Sequence, residues 1–263
     1  MSLKDKTVFI TGGTGGIGVP LVELLRAQGA IVVVYDRARL GNLHETLDAT
    51  CQMLHEHTPD ILINMAGLND FNRAEDQDYT LLLTLNLLVP MRLSQAVLPA
   101  MRWRGNGQIV NVGSMTGLIP LPHFSGYVAA KSGLKGFSDA LRREVIHDGI
   151  AITHIAPRAV KTAMNKGNAG LLNQRTKTRE DDPQKVALRI VRAIERRETD
   201  VRIGWPERAF AILNALFPAL IDKGLHKNLM LGEDILALER EAQQPAFALP
   251  SSTSDLPEER KQA

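Results

Sequence analysis

The sequence predicts a single-domain α/β protein, built on a doubly wound parallel sheet with helices on both faces. Three observations carry this prediction. Short β-branched or apolar runs alternate with segments of helical spacing along most of the chain. The first run, Thr7–Thr11, ends in a glycine-rich turn that leads into a helical segment. A second run, Ile31–Tyr35, completes a strand–helix–strand unit, which implies parallel neighbours.

The remaining elements repeat this rhythm in chain order. Strands are expected at Asp60–Asn64, Gln108–Val112, Ile150–Ile155 and Thr199–Gly204. Helices are expected at Pro20–Gln28, Asp78–Arg102, Tyr127–His147 and Pro183–Arg197. Such an alternation is typical of a three-layer sandwich, which binds its ligands beyond the carboxyl ends of the strands.

Two segments and the C-terminus depart from this rhythm. Ala163–Asp182 is polar and basic without a strong period, so we expect a mobile binding loop. In 205–242, apolar residues cover most of a helical circumference and predict a helical extension or lid over a catalytic domain, 1–204. What this extension packs on stays open between the domain, a subunit, a lipid substrate and a membrane surface. Segment 243–263 is rich in Pro, Ser, Glu and Lys, which predicts a disordered tail.

The composition argues against several classes of protein. A formal charge of +2, from 31 basic and 29 acidic residues, gives no electrostatic footprint for nucleic acid. The single cysteine, Cys51, rules out an internal disulfide and a cysteine-based zinc cluster, so we expect a reduced, cytoplasmic protein without a metal site. We expect neither a secretory signal nor a membrane span, because no apolar run is long enough.

The turn after the first strand has the composition of a dinucleotide-binding site. Glycines let the backbone approach a pyrophosphate, whose charge the following helix N-terminus meets. The run T-G-G-T-G-G-I-G at 11–18 fits two registers of fingerprint glycines. These are Gly13, Gly15 and Gly18, or Gly12, Gly16 and Gly18.

Asp36 ends the second strand about 20 residues after Gly16. A carboxylate at this position accepts hydrogen bonds from the adenosine ribose and repels a 2′-phosphate, which favours NAD as the cofactor. Arg37 follows directly and could pair with that phosphate, so NADP stays open.

Tyr127 and Lys131 lie at i and i+4 and therefore on one helical face. Because an ammonium group favours a phenolate, we expect Lys131 to lower the pKa of Tyr127 toward the working pH. The tyrosine would then exchange a proton effectively in a carbonyl–alcohol interconversion. A tyrosine and a lysine at this spacing are common on helix surfaces. The functional interpretation therefore depends on further residues, the first of which is Ser114 after the preceding strand.

With these residues the chain resembles the short-chain dehydrogenase/reductase family. The matching segments follow the family's order over about residues 4–204: T-G-G-T-G-G-I-G at 11–18, N-M-A-G at 64–67, L-N-L-L around Asn86, N-V-G-S at 111–114, Y-V-A-A-K at 127–131 and A-P-R-A-V-K-T at 156–162. The resemblance implies a Rossmann-type fold and an NAD(P)-dependent oxidoreductase that interconverts a secondary alcohol and a ketone. The apolar C-terminal segment suggests a hydrophobic or acyl substrate. An NADP-linked 3-oxoacyl-type reductase and a non-catalytic dinucleotide sensor or scaffold stay open as alternatives.

The resemblance also implies a role for each matched position. Tyr127 would be the general acid and base, Ser114 would orient the substrate oxygen, and Lys131 would hold the nicotinamide ribose. Asn86 would carry a water that links Lys131 to solvent. The other implied cofactor-binding positions are Thr11, Gly12, Gly16, Ile17, Gly18, Asn64, Ala66, Gly67, Pro157 and Thr162. Family members are commonly dimers or tetramers, so we expect a homodimer or homotetramer.

The chain departs from the family pattern in two notable places. Segment 37–60 is too short for the usual helix and third strand. Leu47–Ala49 would match the family's short strand, with Asp48 contacting the adenine. Arg158 replaces the usual glycine after a proline, and could reach a cofactor phosphate or an acidic substrate group, or simply face solvent.

Overall fold

A computed structural model describes residues 1–243 and is built around a six-stranded, wholly parallel sheet. The sheet has the strand order β2-β1-β3-β4-β5-β6. The strands are β1 (Thr7–Thr11), β2 (Ile31–Val34), β3 (Ile61–Asn64), β4 (Gly107–Val112), β5 (Ile150–Ala156) and β6 (Asp200–Arg202). The predicted doubly wound parallel sheet is confirmed.

Helices cover both faces of the sheet. They are α1 (Gly18–Ala27), α2 (Arg37–Leu40), α3 (Leu47–Glu56), α4 (Tyr79–Leu83), α5 (Val89–Trp103), α6 (Ser125–Glu144), α7 (Gly167–Arg175), α8 (Pro183–Arg196), α9 (Trp205–Leu216) and α10 (Pro218–Gln243). The strand period of two divides the core: Val8 and Ile10 pack with α1 and α8, whereas Phe9 packs with α3, α5 and α6.

The strand order reverses between β1 and β3, which creates a crevice at their carboxyl ends. Thr11 ties the two ends together. Its Oγ1 accepts hydrogen bonds from the backbone N–H groups of Met65, at 3.1 Å, and Ala66, at 3.2 Å. In open α/β sheets, ligands bind in such a crevice.

The interpretation of Leu47–Ala49 as a short strand is wrong. These residues begin the helix α3, whose Leu47 and Leu54 are buried in a core shared with α5. Asp48 lies in the first helical turn, where its exposed carboxylate pairs with Arg92 of α5 at 2.9 Å. The expectation that Asp48 contacts the adenine depended on a short strand here. The structure has a helix that packs on α5 in its place.

The shortened segment 37–60 leaves β2 at the edge of the sheet. Among the described residues, β2 pairs with β1 alone, and its Ile31 and Val33 are 58% and 51% exposed. The Arg26 side chain donates a hydrogen bond to the carbonyl of Val32 at 3.3 Å.

The polar segment Ala163–Asp182 is not a loop throughout, because it contains α7. Ala169 and Leu172 of this helix are buried against Ile235 and Leu236 of α10. Beyond 204 the chain forms α9 and α10, and α10 begins at Pro218. The predicted tail, 243–263, lies outside the described residues apart from Gln243, the last residue of α10.

Within residues 1–243, the helix Tyr79–Trp103 alone is long and apolar enough, by length and composition, to cross a membrane. Its Leu93, Val97 and Met101 are fully buried in the core on the sheet. The core helix of a globular domain has the same length and composition, so this finding assigns no membrane span.

Candidate active site

Four positions of the glycine turn exclude a side chain: Gly13, where a Cβ would lie 2.8 Å from the Val34 side chain, and three others. Gly12 has a φ of +74°, and a Cβ there would lie 2.8 Å from the backbone nitrogen of Ala66. A Cβ on Gly16 would lie 2.5 Å from the Thr162 side chain, and one on Gly18 would overlap the carbonyl oxygen of Gly12. These three positions form the second of the two predicted registers. Since α1 begins at Gly18, its N-terminus faces the turn.

A cavity of about 330 Å³ lies at the carboxyl ends of the strands. Its wall brings together seven of the predicted site residues: Ile17, Gly67, Ser114, Tyr127, Lys131, Pro157 and Thr162. Apolar side chains form much of the remaining wall, among them Met65, Met115, Ile119, Leu121, Phe124, Met164, Leu172 and Phe210. The site therefore joins polar groups at the end of the sheet to an apolar chamber.

Tyr127 is nearly fully buried, and burial raises its pKa to about 12. The nearby Ser114 hydroxyl offsets part of that rise. Ser114 itself follows β4, and its Oγ accepts hydrogen bonds from the backbone N–H and hydroxyl of Thr116 at 3.2 and 2.8 Å. The Tyr127 phenol is therefore protonated at neutral pH.

The prediction that Lys131 lowers the pKa of Tyr127 is wrong, because that pKa is raised above its usual value. Lys131 Nζ lies 5.6 Å from the centroid of the Tyr127 ring and donates a hydrogen bond to the carbonyl of Val112 at 3.1 Å. Burial lowers the pKa of Lys131 to about 8. Desolvation thus dominates the pKa of both groups.

Gln77 fixes the start of α6, just before Tyr127. Its Oε1 accepts a hydrogen bond from the backbone N–H of Gly126 at 2.9 Å and one from the Ser125 hydroxyl at 3.3 Å. Its Nε2 donates to two backbone carbonyls at 2.9 and 3.2 Å. Sequence analysis missed this residue, because its contacts join segments 49 residues apart.

Asn86 lies in a π-helical turn, Thr84–Leu88, between α4 and α5. Such turns are frequent at functional sites. Its Nδ2 donates to two backbone carbonyls at 2.9 and 3.0 Å, while its buried Oδ1 has no hydrogen-bond partner within residues 1–243. A Cβ on Gly67 would overlap Asn86 Oδ1 and would lie 3.5 Å from Lys131 Nζ. The two polar atoms therefore face the same small space beside Gly67.

Two other predicted cofactor-binding residues also make protein contacts. Asn64 is buried, and its Nδ2 donates to Asn111 Oδ1 at 2.9 Å inside the core, while its Oδ1 has no hydrogen-bond partner within residues 1–243. Asp36 caps α2, with Oδ1 accepting a hydrogen bond from the backbone N–H of Ala38 at 2.9 Å. Asp36 nonetheless lies just beyond the carboxyl end of β2, as the sequence indicates.

Arg158 is in the cavity wall, but its guanidinium is bound to the protein. Its Nε and Nη2 donate to the two carboxylate oxygens of Asp181 at 2.9 and 2.6 Å, and its Nη1 donates to Glu207 at 3.2 Å. The bonds to Asp181 raise the already high pKa of Arg158 further, and its side chain is only 10% exposed. Arg158 therefore joins the segment before α8 to the start of α9 and does not face solvent.

Comparisons with known proteins agree with this geometry. The family described as short chain dehydrogenase matches residues 44–170, a range that includes Asn86, Ser114, Tyr127 and Lys131. The 3-oxoacyl-[acyl-carrier-protein] reductase of Vibrio harveyi is 30% identical over 220 residues, which cover 73% of this chain and 90% of that protein. The reductase of the same name from Salmonella typhimurium is 33% identical over 203 residues, 66% of this chain and 83% of that protein.

Solved structures extend the match to the fold. A short-chain dehydrogenase from Sphingobium yanoikuyae in complex with NADPH has a TM-score of 0.70 and 27% identity, covering 82% of this chain and 95% of that one. The 3-ketoacyl-(acyl-carrier-protein) reductase of Brucella melitensis, complexed with NADH, shares the fold at 20% identity and a TM-score of 0.68, covering 77% of this chain and 98% of that one. This chain belongs to the short-chain dehydrogenase/reductase family of oxidoreductases.

Proposed function

We propose that this protein is an NAD(P)-dependent oxidoreductase that interconverts a secondary alcohol and a ketone, with Tyr127 as its general acid and base. The observation that carries the proposal is the meeting of Ser114, Tyr127 and Lys131 in the wall of one cavity. The NADPH complex of the Sphingobium relative supports the cofactor class.

The residues at the crevice fit a dinucleotide. Gly12, Gly16 and Gly18 keep side chains out of the turn, so that a pyrophosphate can approach the N-terminus of α1. When bound, a nicotinamide supplies or accepts the hydride. We propose NAD as the preferred cofactor, because Asp36 keeps one carboxylate oxygen, Oδ2, for the ribose hydroxyls. Arg37, exposed beside it, keeps NADP open.

The chain's own groups handle the proton of the reaction. Ser114 would hold the substrate oxygen, and Tyr127 would donate a proton to it during ketone reduction. A phenol whose pKa burial raises to about 12 is protonated at neutral pH, which suits a general acid better than a general base. In alcohol oxidation the same group would have to act as its phenolate, so we expect that direction to need a higher pH.

Asn86 and Lys131 would supply the return path for the proton. Asn86 Oδ1 and Lys131 Nζ both border the space beside Gly67, where a bridging water would link them. The π-helical turn around Asn86 holds its amide in this orientation.

The chamber beyond Tyr127 favours an apolar substrate. Its wall includes Ile119, Phe124, Leu172 and Phe210. An apolar chamber suits an acyl chain, and this supports a 3-oxoacyl-type reductase as the second candidate function. The names of the Vibrio and Salmonella relatives point the same way.

A homodimer or homotetramer and a cytoplasmic location stay predictions. The exposed apolar side chains of Leu88, beside α5, and Ile146, just after α6, support an oligomer; they are 45% and 64% exposed. Light scattering of the purified protein at several concentrations would test the oligomer.

The mechanism is tested by Tyr127→Phe, with Tyr79→Phe as the matched control. Purified proteins are assayed with ketones of increasing chain length and with both NADH and NADPH. We expect Tyr127→Phe to bind the cofactor normally and to lose turnover, whereas Tyr79→Phe keeps both. Retained turnover in Tyr127→Phe would overturn the mechanism. Cofactor binding without turnover of any ketone by the wild type would favour the dinucleotide sensor.

A further inference from the structure

The junction of α9 and α10 presents apolar side chains that no other part of residues 1–243 covers. Segment 209–221 contains thirteen residues without a charge. Its large exposed members are Ile212, Leu213, Leu216, Phe217 and Leu220, which are 56%, 36%, 65%, 57% and 58% exposed. We call residues 212–220 the apolar tip. Isolated exposed apolar residues are ordinary, but a contiguous group of this kind marks an interaction surface.

The apolar tip is exposed although the two helices that form it are well anchored. Ala211 packs against Met115 and Ile119, and Asn214 donates a hydrogen bond to the carbonyl of Leu118 at 3.4 Å. The C-terminal half of α10 is held by contacts that include the ion pair of Glu233 with Arg73. Domain packing therefore accounts for one face of these helices and leaves the tip open.

A second feature is a basic segment, residues 159–179. Between residues 159 and 179 the chain has five basic residues and no acidic one. All five side chains are exposed, and within residues 1–243 none takes part in an ion pair: Lys161, Lys166, Arg175, Lys177 and Arg179. Positive charge without internal partners is suited to an anionic surface.

Uncharged residues of the basic segment line the cavity, and so does Phe210, which lies two residues before the apolar tip. Phe210, at the base of the tip, and Asn228 of α10 form one part of its wall. Thr176 and the exposed Thr178, which alternate with basic residues, form another. A surface that contacts the tip and the basic segment together would therefore lie over the entrance of the site.

We propose that the apolar tip and the basic segment dock this protein on an anionic lipid surface, with the cavity facing the bilayer. A bilayer offers both an apolar interior for Phe217 and Leu216 and anionic headgroups for the basic side chains. The exposed Trp205 at the start of α9 is of the type that enters membrane interfaces. An acidic protein partner would match the charges but not the tip, and a second copy would match the tip but repel the charges.

The docking is independent of the reaction proposed above and is tested without measuring turnover. The full chain is sedimented with phosphatidylcholine vesicles, with and without a minor fraction of phosphatidylglycerol. We expect several-fold more protein to sediment with the anionic vesicles, and high salt should reduce that binding. Equal or absent sedimentation with both vesicle types would overturn the proposal.

Two pairs of variants separate the apolar and the electrostatic contribution. Phe217→Glu is compared with Leu238→Glu, because both remove an apolar side chain that is more than half exposed, directly before α10 or on it, and add the same charge. Lys177→Glu with Arg179→Glu is compared with Arg143→Glu plus Arg192→Glu, two exposed arginines on α6 and α8. We expect the first member of each pair to lose most vesicle binding and the control to keep it.

A spectroscopic readout identifies the occupant of the tip. Trp103→Phe leaves Trp205 as the only tryptophan, since the chain has two. Addition of anionic vesicles should then shift the Trp205 emission to shorter wavelength as the side chain leaves water. A concentration-dependent dimer that Phe217→Glu dissociates, together with unchanged Trp205 emission, would assign the tip to a second copy and contradict the proposal. Charge-dependent binding that Phe217→Glu leaves intact would contradict it as well.

Discussion

The side-chain oxygen of Gln77 accepts a hydrogen bond from the backbone N–H of Gly126, the residue directly before Tyr127, at 2.9 Å. Helix N-termini leave their first N–H groups without intrahelical partners, so this bond caps α6 where the reactive phenol emerges. The amide nitrogen of the same side chain is also fixed, since Gln77 Nε2 donates hydrogen bonds to the carbonyls of Asn72 and His123. Gln77 is thus a positioning residue for Tyr127.

Gln77→Met tests this role, because it keeps the length of the side chain and removes its polar atoms. We expect a loss of about 1–3 kcal/mol in the free energy of unfolding, since buried N–H and carbonyl groups lose their partners. We also expect kcat to fall with little change in cofactor affinity. Urea denaturation and steady-state kinetics measure the two effects. Gln52→Met, on the exposed surface of α3, is the control, and equal kinetics in both variants would argue against the positioning role.

Replacing either of two helical glycines with alanine should change the stability of the protein in opposite directions. A Cβ on Gly18 would overlap the backbone of Gly12, so Gly18→Ala should cost about 1–3 kcal/mol and weaken cofactor binding. At Gly136, inside α6, no atom of residues 1–243 outside the local helix backbone lies within 4 Å of such a Cβ, so Gly136→Ala should stabilise the protein by about 0.5–1 kcal/mol. Thermal melts measure the change in stability of both variants, and cofactor titrations measure the change in binding. A destabilised Gly136→Ala, or normal cofactor binding in Gly18→Ala, would contradict the packing described here.

Lys131 should contribute to activity at the expense of stability. Burial lowers its pKa from 10.5 to about 8, so the folded state disfavours the ammonium. A group with a lowered pKa contributes stability that is present above pH 10.5 and is lost as the pH falls through about 8. Lys131→Met should therefore be more stable than the wild type below pH 8, by about 1–3 kcal/mol, and inactive.

The advantage of Lys131→Met should disappear as the pH approaches 10.5, which denaturation at several pH values would measure. Lys185→Met removes an exposed lysine of α8 and serves as the control, with no pH-dependent gain. If Lys131→Met is the less stable protein at every pH, its hydrogen bond to the carbonyl of Val112 outweighs desolvation.

The choice of cofactor should depend on Asp36. Asp36→Ser keeps a hydroxyl that can cap α2 and removes the charge that would repel a 2′-phosphate. We expect the affinity ratio to move toward NADPH by about tenfold, the effect of roughly 1.4 kcal/mol. Fluorescence titration with NADH and NADPH measures it. Asp48→Ser, in the exposed first turn of α3, should leave the ratio unchanged, and an equal shift there would restore a role for Asp48 at the adenine.

Several features could be predicted from the sequence because they depend on local patterns. Strand runs and helical spacing gave the order of the elements, and the motif positions led to Ser114, Tyr127 and Lys131. The helix α3 also had a signal, since Leu47, Cys51 and Leu54 recur at helical spacing. Its identification as a strand came from matching a family pattern over three residues instead of following that period.

Other features depend on the environment that the folded chain creates. The burial of Asn64 follows from strand parity, because Leu62 faces the α5 side of the sheet and Asn64 has the same parity. The pKa values of Tyr127 and Lys131 could not be predicted from their spacing, since desolvation depends on every element that covers them. The partners of Arg158 come from two segments that carry no signal for them, the polar segment with Asp181 and the apolar extension with Glu207.

The open edge at β2 has a consequence for how the protein behaves in concentrated or partly unfolded samples. An unpaired strand edge is a template for the addition of another extended chain, and β2 has neither a charge nor a proline of its own to prevent it. Arg26 supplies the missing protection from the neighbouring helix, by occupying the carbonyl of Val32 with a charged group. We therefore expect Arg26, although it lies at the end of a helix, to hinder the pairing of another chain with this edge.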